Sequence, residues 1–485
     1  MKFPDHPAYR NAMGPFRMEC DLEDLEVDGD IPAALQGAFY RCGPDRRYPP
    51  IADDVWPAVN GDGVVSMFRI GGGHVDFRMR YVRTDRYMAE RKARRALFGA
   101  YRNPFTDDPS VEGVDRTLAN TSVVWYDRRL LALKEDGLPH EIDPFTLETV
   151  GKFDFGGAMA SPTFTAHPKF DPDTGEMTFY AYEVGGLASP LMALGVGSAD
   201  GRLLKEEVFE PPYGCWIHDF AVTEKHVVFP ILPATADIAR MKAGGPHWMW
   251  DPTLPSWLGV MPRDGSVKDM RYFRGPPRWS FHTMNAFDDG DRVVFDTTVA
   301  IDNAYFPGPA GRPSPQDGAF HLTRLVCDLS RNDDVFTEER LLELPSDFYG
   351  CDPRWSGKPY RHGYMAGRAG DGPGYDSILH FDHQTRESRA WRPGPAAMVQ
   401  EPVFVPRAAD APEGHGYLLS VVNRFAERRA ELVVLDLQDL ERGPLAVIHM
   451  PVILPMAVHG DFVPESALAQ ARRRPPQPPE TGNLQ

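Results

Sequence analysis

Short stretches in which apolar residues alternate with polar ones, or run together for four to six positions, recur along the chain and are separated by Gly, Pro, Asn and Asp. Val64 to Ile70 follows the turn Asn60-Gly-Asp-Gly63. Val123 to Tyr126 and Leu130 to Leu133 flank Asp-Arg-Arg as a hairpin. Met177 to Tyr182, Val227 to Ile231, Val293 to Phe295, Tyr417 to Val422 and Leu432 to Leu435 read as further strands. A strand has a side-chain period of two and needs turn chemistry every eight to twelve residues, so this rhythm predicts an all-β sandwich, barrel or propeller. Helical periodicity is sparse. The pattern predicts helices from Asp85 to Phe98, capped by Asp85 and stopped by Gly99, from Ala234 to Ala243, and near Ser466 to Arg473. The Pro-rich segment that follows reads as a disordered tail, so the expected division is one domain over 1–464 and a tail over 465–485.

A repeat emerges when segments are aligned on histidine. His167, His218 and His282 lie 51 and 64 residues apart, and each is followed by a short strand, a polar turn and an apolar strand. A propeller blade takes ~40–50 residues, more with long loops, so the chain accommodates a large closed propeller. Histidines at equivalent inner positions of several blades would meet on the axis. His459, in Pro455-Met-Ala-Val-His459-Gly460, is a fourth candidate. Four neutral imidazoles suit Fe, Cu, Zn or Ni.

Composition narrows the function. The formal net charge of −17 argues against a nucleic-acid partner. Gly (44) and Pro (47) are scattered, as many turns require. The five cysteines, Cys20, Cys42, Cys215, Cys327 and Cys351, form no C-x-x-C pair and read as reduced, buried thiols. No leader pattern and no apolar run of ~18 residues is present, so a cytoplasmic location without stable membrane insertion is expected. Phosphate-binding glycine loops, H-E-x-x-H and G-x-S-x-G are absent.

The motifs Gly29 to Gly37 with Tyr40-Arg-Cys-Gly-Pro44, Asn60-Gly-Asp-Gly63 with Tyr81-Val-Arg-Thr84, Ala119-Asn-Thr121, Leu133-Lys-Glu-Asp-Gly137 and Glu401-Pro-Val-Phe-Val-Pro406 occur in order. Over about residues 14 to 464 the chain thereby resembles the carotenoid cleavage oxygenase family. The resemblance implies a seven-bladed β-propeller with a helical and loop cap over the active site. It implies Fe(II) held by His167, His218, His282 and His459, with Glu135, Glu343 and Glu401 orienting the rings. It also implies a pocket for O2 and substrate at Thr121, Val59 and Thr283.

Within the family the chain looks most like the bacterial stilbene-cleaving dioxygenases, which carry a Tyr and a Lys at the positions of Tyr101 and Lys134 to bind the substrate's 4-hydroxyl. An ammonium favours the phenolate, and a phenolate pushes electron density onto the conjugated double bond. Val59 departs from the aromatic residue often found there, and Trp56 is a candidate to replace it. The expected reaction is cleavage of the central double bond of a 4-hydroxystilbene by O2 to two aromatic aldehydes. Cleavage of an apocarotenoid and a non-enzymatic binding platform are the alternatives. The stretch Trp248 to Trp257 reads as a loop packed on its own protein or, in a carotenoid-type enzyme, as a membrane contact. A homodimer is compatible with the sequence.

Overall fold

A computed structural model describes residues 2–6, 9–51, 57–303, 305–308, 318–370 and 374–472. Trp56 and residues 473–485 lie outside them. The expected strands all form, and they pair into seven antiparallel sheets arranged as the blades of a β-propeller. Blade 1 contains Cys20–Leu22, Gly37–Asp45, Asp62–Gly71 and His74–Tyr81, and blade 2 runs from Ser122–Tyr126 to Thr149–Lys152. Blade 3 runs from Lys169–Phe170 to Leu203–Phe209, blade 4 from Ala221–Val222 to Arg271–Gly275, and blade 5 from Thr283–Asp289 to Phe336–Arg340. Blade 6 runs from Ser346–Cys351 to Glu387–Trp391. Blade 7 runs from Ala397–Val399 to Ala446–Met450 and takes Val27–Gly29 as its outer strand.

The apolar runs are explained by where each strand face goes. In Gly37–Asp45, Ala38, Tyr40 and Cys42 pack against blade 2 with Val123 and Leu130, while Phe39 packs against blade 7 with Leu419 and Leu432. In Gly416–Arg424, Leu418 and Val422 face blade 6, and Leu419 and Val421 face blade 1. Each blade is thus buried on both sides, which removes the polar alternation of a half-exposed strand. The seven inter-blade clusters are the core, and burial of apolar side chains there, at ~25 cal/mol per Å2, holds the blades together.

The ring is closed by exchange between distant parts of the chain. His459–Pro464 pairs antiparallel with Gly37–Asp45, in a register that sets Cys42 opposite His459 and Gly37 opposite Pro464. The latch becomes the innermost strand of blade 1, so Gly37–Asp45 is paired on both edges. The helix Glu465–Ala471 follows directly and buries Leu468 against Tyr40 and Val463. The expected boundary at 465 is therefore corrected. Residues 465–472 belong to the packed unit, because Leu468, the fourth residue of the expected tail, joins the core between blades 1 and 2.

Two helix expectations change. The helix after Tyr81 spans Asp85–Ala93, with Thr84 rather than Asp85 as its cap: the Thr84 side chain accepts from the Tyr87 N–H. It ends at Arg94 in the left-handed region, before Gly99. The segment 234–243 is not one helix. Ala234–Ala236 pairs with Trp248–Trp250 as a two-stranded ribbon, and only Ile238–Lys242 is helical, capped by Asp237. The tryptophans explain the change, because Trp248 and Trp250 are buried beneath the ribbon and hold it extended. This insertion and residues 85–111 form the cap. Among the described residues no helix is long and apolar enough to cross a membrane. Cys42, Cys215 and Cys327 are buried thiols, and Cys20 and Cys351 are partly buried ones.

Leu468→Ala removes a side chain with no exposed surface. It is expected to destabilise the protein by about 2–5 kcal/mol, the range for deleting a buried leucine side chain. A fall in the urea midpoint followed by circular dichroism checks this; an unchanged midpoint would separate the helix from the core.

Candidate metal centre

His282 precedes the innermost strand of blade 5, His459 begins that of blade 1, and His167 and His218 lie two and three residues before those of blades 3 and 4. Equivalent positions on a propeller face the axis, and there the four rings meet, with ligand atoms all within 4.8 Å of one another. The Nε2 atoms of His167 and His218 are 3.1 Å apart, those of His218 and His282 3.1 Å, and those of His282 and His459 3.0 Å.

Carboxylates from the other three blades fix the outer nitrogens. Glu135 of blade 2 accepts from Nδ1 of His218. Asp347 of blade 6 accepts from Nδ1 of His282 at 2.6 Å, and Glu401 of blade 7 from Nδ1 of His459 at 2.6 Å. An ionised carboxylate only accepts, so in His218, His282 and His459 the proton sits on Nδ1 and Nε2 carries a bare lone pair. Lone pairs facing one another at 3.0–3.1 Å repel unless a cation lies between them. The donor set therefore fits a metal ion, and the carboxylates are the usual orienting partners of ligating imidazoles.

The electrostatics suit neutral nitrogen donors. Burial, reinforced by the other three rings, holds His167 well below the usual imidazole range. Burial lowers His218 to about 4 against the pull of Glu135. His282 is the exception: burial would lower it, but Asp347, Asp219 and Glu401 together outweigh burial and shift it upward, toward the charged ring. Burial would raise Glu135, but Lys134 and His218 outweigh it and bring it down to about 2.

The expected role of Glu343 is corrected. Its side chain is 84% exposed and pairs with Arg340 at 3.2 Å, outside the ring of blades. Asp347, four residues on, occupies the inner position because blade 6 begins there, at Ser346–Cys351. The register shifts between Asp347 and Gly350, and Phe348 sits at φ 55°. This bulge aims Asp347 at His282 and stacks Phe348 on the same ring, with centroids 5.3 Å apart. Alternation cannot foresee a bulge; the sequence signal was an Asp at the start of a blade, where each metal-facing residue lies.

The other candidate residues surround this centre unequally. Thr121 lies just before the inner strand of blade 2, the position His282 has in blade 5. It is buried, and its hydroxyl donates to Asn120 at 3.1 Å. Val59 is buried, and Asn120 Nδ2 donates to the carbonyls of Gly61 at 2.8 Å and Val59 at 3.4 Å, tying Val59 to the Thr121 segment. Thr283 turns its hydroxyl to the Phe220 carbonyl at 3.3 Å and gives its N–H to Asp219 at 2.8 Å; it stitches blade 5 to blade 4. An aromatic wall went unread in the sequence. Trp216 stacks on His218 at 5.1 Å and Phe281 meets the same ring edge-on at 4.5 Å.

Lys134 and Tyr101 come together. Lys134 is buried, with Nζ 5.2 Å from the centroid of the Tyr101 ring and 3.5 Å from Glu135. Among the described residues the buried Tyr101 hydroxyl has no hydrogen-bond partner, and burial holds it well above the usual phenol range. Arg102 and Asn103 anchor Tyr101: Arg102 pairs with Glu183, and Asn103 donates to the carbonyls of Met241 at 3.0 Å and Gly245 at 2.8 Å.

A propeller with an axial four-histidine centre defines a class of metal-dependent oxygenases, and comparison with known proteins agrees. Residues 13–464 match the family described as retinal pigment epithelial membrane protein, RPE65. The chain belongs to this RPE65/carotenoid cleavage oxygenase family and is an oxygenase, and its histidine cluster fits the family's iron site. It is 42% identical to the isoeugenol monooxygenase of Pseudomonas nitroreducens, over 94% of this chain and 98% of the relative. It is also 42% identical to the lignostilbene-α,β-dioxygenase isozyme III of Sphingomonas paucimobilis, over 96% and 99%. The crystal structure of the Pseudomonas brassicacearum lignostilbene dioxygenase superposes with a TM-score of 0.92 at 42% identity, covering 96% of this chain and 100% of that one.

Asp347→Asn is expected to weaken iron retention by about 10–100-fold, the usual effect of losing a carboxylate that orients a metal-bound histidine. Glu343→Gln should leave it unchanged. Iron-to-protein ratios after dialysis against a graded chelator check the pair, and the reverse order of effects would restore Glu343.

Proposed function

We infer that the protein cleaves the central Cα=Cβ bond of a 4-hydroxystilbene, with O2, to two aromatic aldehydes. One observation carries the reading: a buried ammonium, Lys134, over the ring of a tyrosine whose buried hydroxyl has no partner among the described residues. A buried polar group without a partner calls for one, and a phenol supplies an oxygen that accepts from both Lys134 and Tyr101. The relatives named for lignostilbene and isoeugenol support the choice of a phenol conjugated to an alkene.

Lys134 and Tyr101 bind the substrate's 4-oxygen, and Lys134 stabilises its phenolate form. Negative charge delocalised from that oxygen raises electron density at the double bond, the site of oxidation. Glu135 links this end of the pocket to the metal centre, since it lies 3.5 Å from Lys134 and also accepts from His218. Phe281 and Phe348 offer aromatic faces beside the histidines for the substrate rings. Fe(II), held by His167, His218, His282 and His459, supplies the activation of O2 when bound. The alkene and O2 together contain every atom of the two aldehydes, so no further reductant is needed.

The equal identity to the isoeugenol enzyme favours a second reading, in which the alkene carries a short alkyl group instead of a second ring. Val59, smaller than an aromatic residue, is compatible with either. Apocarotenoids lack the phenol that Lys134 would hold. A binding platform without chemistry leaves the buried Lys134 and the facing Nε2 atoms without a purpose.

Lys134→Met is expected to lower kcat/KM for 4-hydroxystilbene by at least about 100-fold, the size of effect of removing one positioned charged group from an active site. Iron content should be unchanged, and 4-methoxystilbene should be a poor substrate for the unsubstituted protein. Aldehyde quantification by chromatography checks this. Equal turnover of the hydroxy and methoxy compounds would overturn the assignment of Lys134, and aldehyde from isoeugenol alone would select the second reading.

A further inference from the structure

The four histidines are not held alike. The His282 N–H donates to Thr298 Oγ1 at 3.0 Å, and the His218 carbonyl accepts from the Tyr180 hydroxyl at 2.9 Å, so strands of the blades fix these two directly. His459 instead follows residues 453–458, which have no regular secondary structure. Side chains must set the course of that approach, and two adjacent residues after the strand Ala397–Val399 do so. Glu401 accepts from Nδ1 of His459 at 2.6 Å and from the Gly460 N–H at 2.7 Å. Gln400 Oε1 accepts from the Ala457 N–H at 2.8 Å, and its Nε2 donates to the Pro455 carbonyl at 3.5 Å. The Gln400 backbone is itself fixed, since its N–H donates to the Val421 carbonyl at 2.9 Å and its carbonyl accepts from the Ser420 hydroxyl at 2.8 Å.

A side-chain amide has one accepting and one donating end, and only the accepting end can meet an N–H. Arg41 determines which end does. It is buried in Gly37–Asp45, on the face that also turns Phe39 toward blade 7, and in register it lies opposite Gly460. Its Nη2 donates to Gln400 Oε1 and its Nη1 to Ser66 Oγ at 3.4 Å. A guanidinium only donates, so the amide oxygen is drawn to it and is thereby presented to Ala457 as well. Burial works against the Arg41 charge, and Glu401 is the carboxylate that opposes this effect. The cation of blade 1 thus acts on both residues that hold the fourth ligand: on Gln400 by a hydrogen bond and on Glu401 through its charge.

We propose that Arg41 and Gln400 are positioning residues of the metal centre: Arg41 orients the Gln400 amide, and the amide fixes residues 455–457 so that Nε2 of His459 reaches the point shared by the other three ligands. Neither residue ligates the metal; both act through His459. The role rests on the metal centre and is independent of which alkene is cleaved. Without the amide oxygen, Glu401 still orients the ring, but the Ala457 N–H and the Arg41 guanidinium lose a common acceptor. A buried donor left without its acceptor bears the full cost of its desolvation, and the approach to His459 can escape that cost only by moving. The consequence falls on one ligand of four.

Co(II) is the probe, because its visible absorption reports the number and arrangement of its ligands. The metal-free full chain is titrated with Co(II) against a competing chelator, and melting temperatures are recorded with and without the metal. Gln400→Leu and Arg41→Met are expected to weaken Co(II) binding at least about tenfold, the lower end of the effect of losing an outer partner of a metal ligand. They should also alter the absorption bands and shrink the metal-induced rise in melting temperature. Gln400→Glu keeps the acceptor and should retain the affinity and the bands of the unsubstituted protein. A purely structural role would lower both melting temperatures equally and leave affinity and bands unchanged; that result overturns the proposal, as does an equal loss in Gln400→Glu. Gln400→Asn keeps the amide but withdraws it by one methylene; it carries the same expectation as Gln400→Leu and decides if the first two variants do not fold. An unsubstituted protein that binds no Co(II) would overturn the metal centre and the proposal together, whereas normal binding with silent variants overturns the proposal alone.

Discussion

Four nitrogen lone pairs directed at one point on a propeller axis are the constraint on which this molecule depends. Neutral imidazoles at 3.0–3.1 Å separations have no attraction for one another. The protein holds them there through the seven inter-blade cores and three carboxylates. The division of labour is regular: blades 1, 3, 4 and 5 contribute a histidine, and blades 2, 6 and 7 a carboxylate. Every blade thus commits one inward side chain to the same point, so metal affinity is a property of the whole ring. The carboxylates also bring negative charge to a set of ligands that has none, while remaining one ring away from the cation.

The phenol site is coupled to this centre by proximity in the chain. Lys134 and Glu135 are adjacent residues in the turn that follows the strand Arg129–Leu133, and their charged ends lie 3.5 Å apart. One reaches toward Tyr101 in the cap and the other toward His218 in the propeller. A dipeptide is therefore enough to connect substrate charge to metal charge. The cap supplies its half from an insertion whose buried tryptophans and Asn103 contacts fix the Tyr101 segment to the propeller.

Much of this was legible in the sequence, and the parts that were not have physical causes. The strands were readable because turn residues punctuate them, and the histidines because each starts a blade at a comparable offset. Asp347 was missed because a bulge, invisible to alternation, brings it inward, while Glu343 four residues earlier carries the more suggestive neighbours. The segment 234–243 has helical composition, but strand pairing with Trp248–Trp250 and burial of both tryptophans override it. The helix expected near Ser466 to Arg473 forms as Glu465–Ala471, and burial of Leu468 places it in the core although the tail was drawn from 465. The aromatic wall of Trp216, Phe281 and Phe348 has no periodic signature, because its members come from different blades and meet only in three dimensions.

The strand that fastens the ring also begins with a ligand. His459 opens His459–Pro464, which pairs with residues near the other end of the described chain. The third ligand, His282, precedes it by 177 residues. The fourth ligand belongs to the latch itself, so the complete set of four exists only where the two distant ends of the described chain have paired.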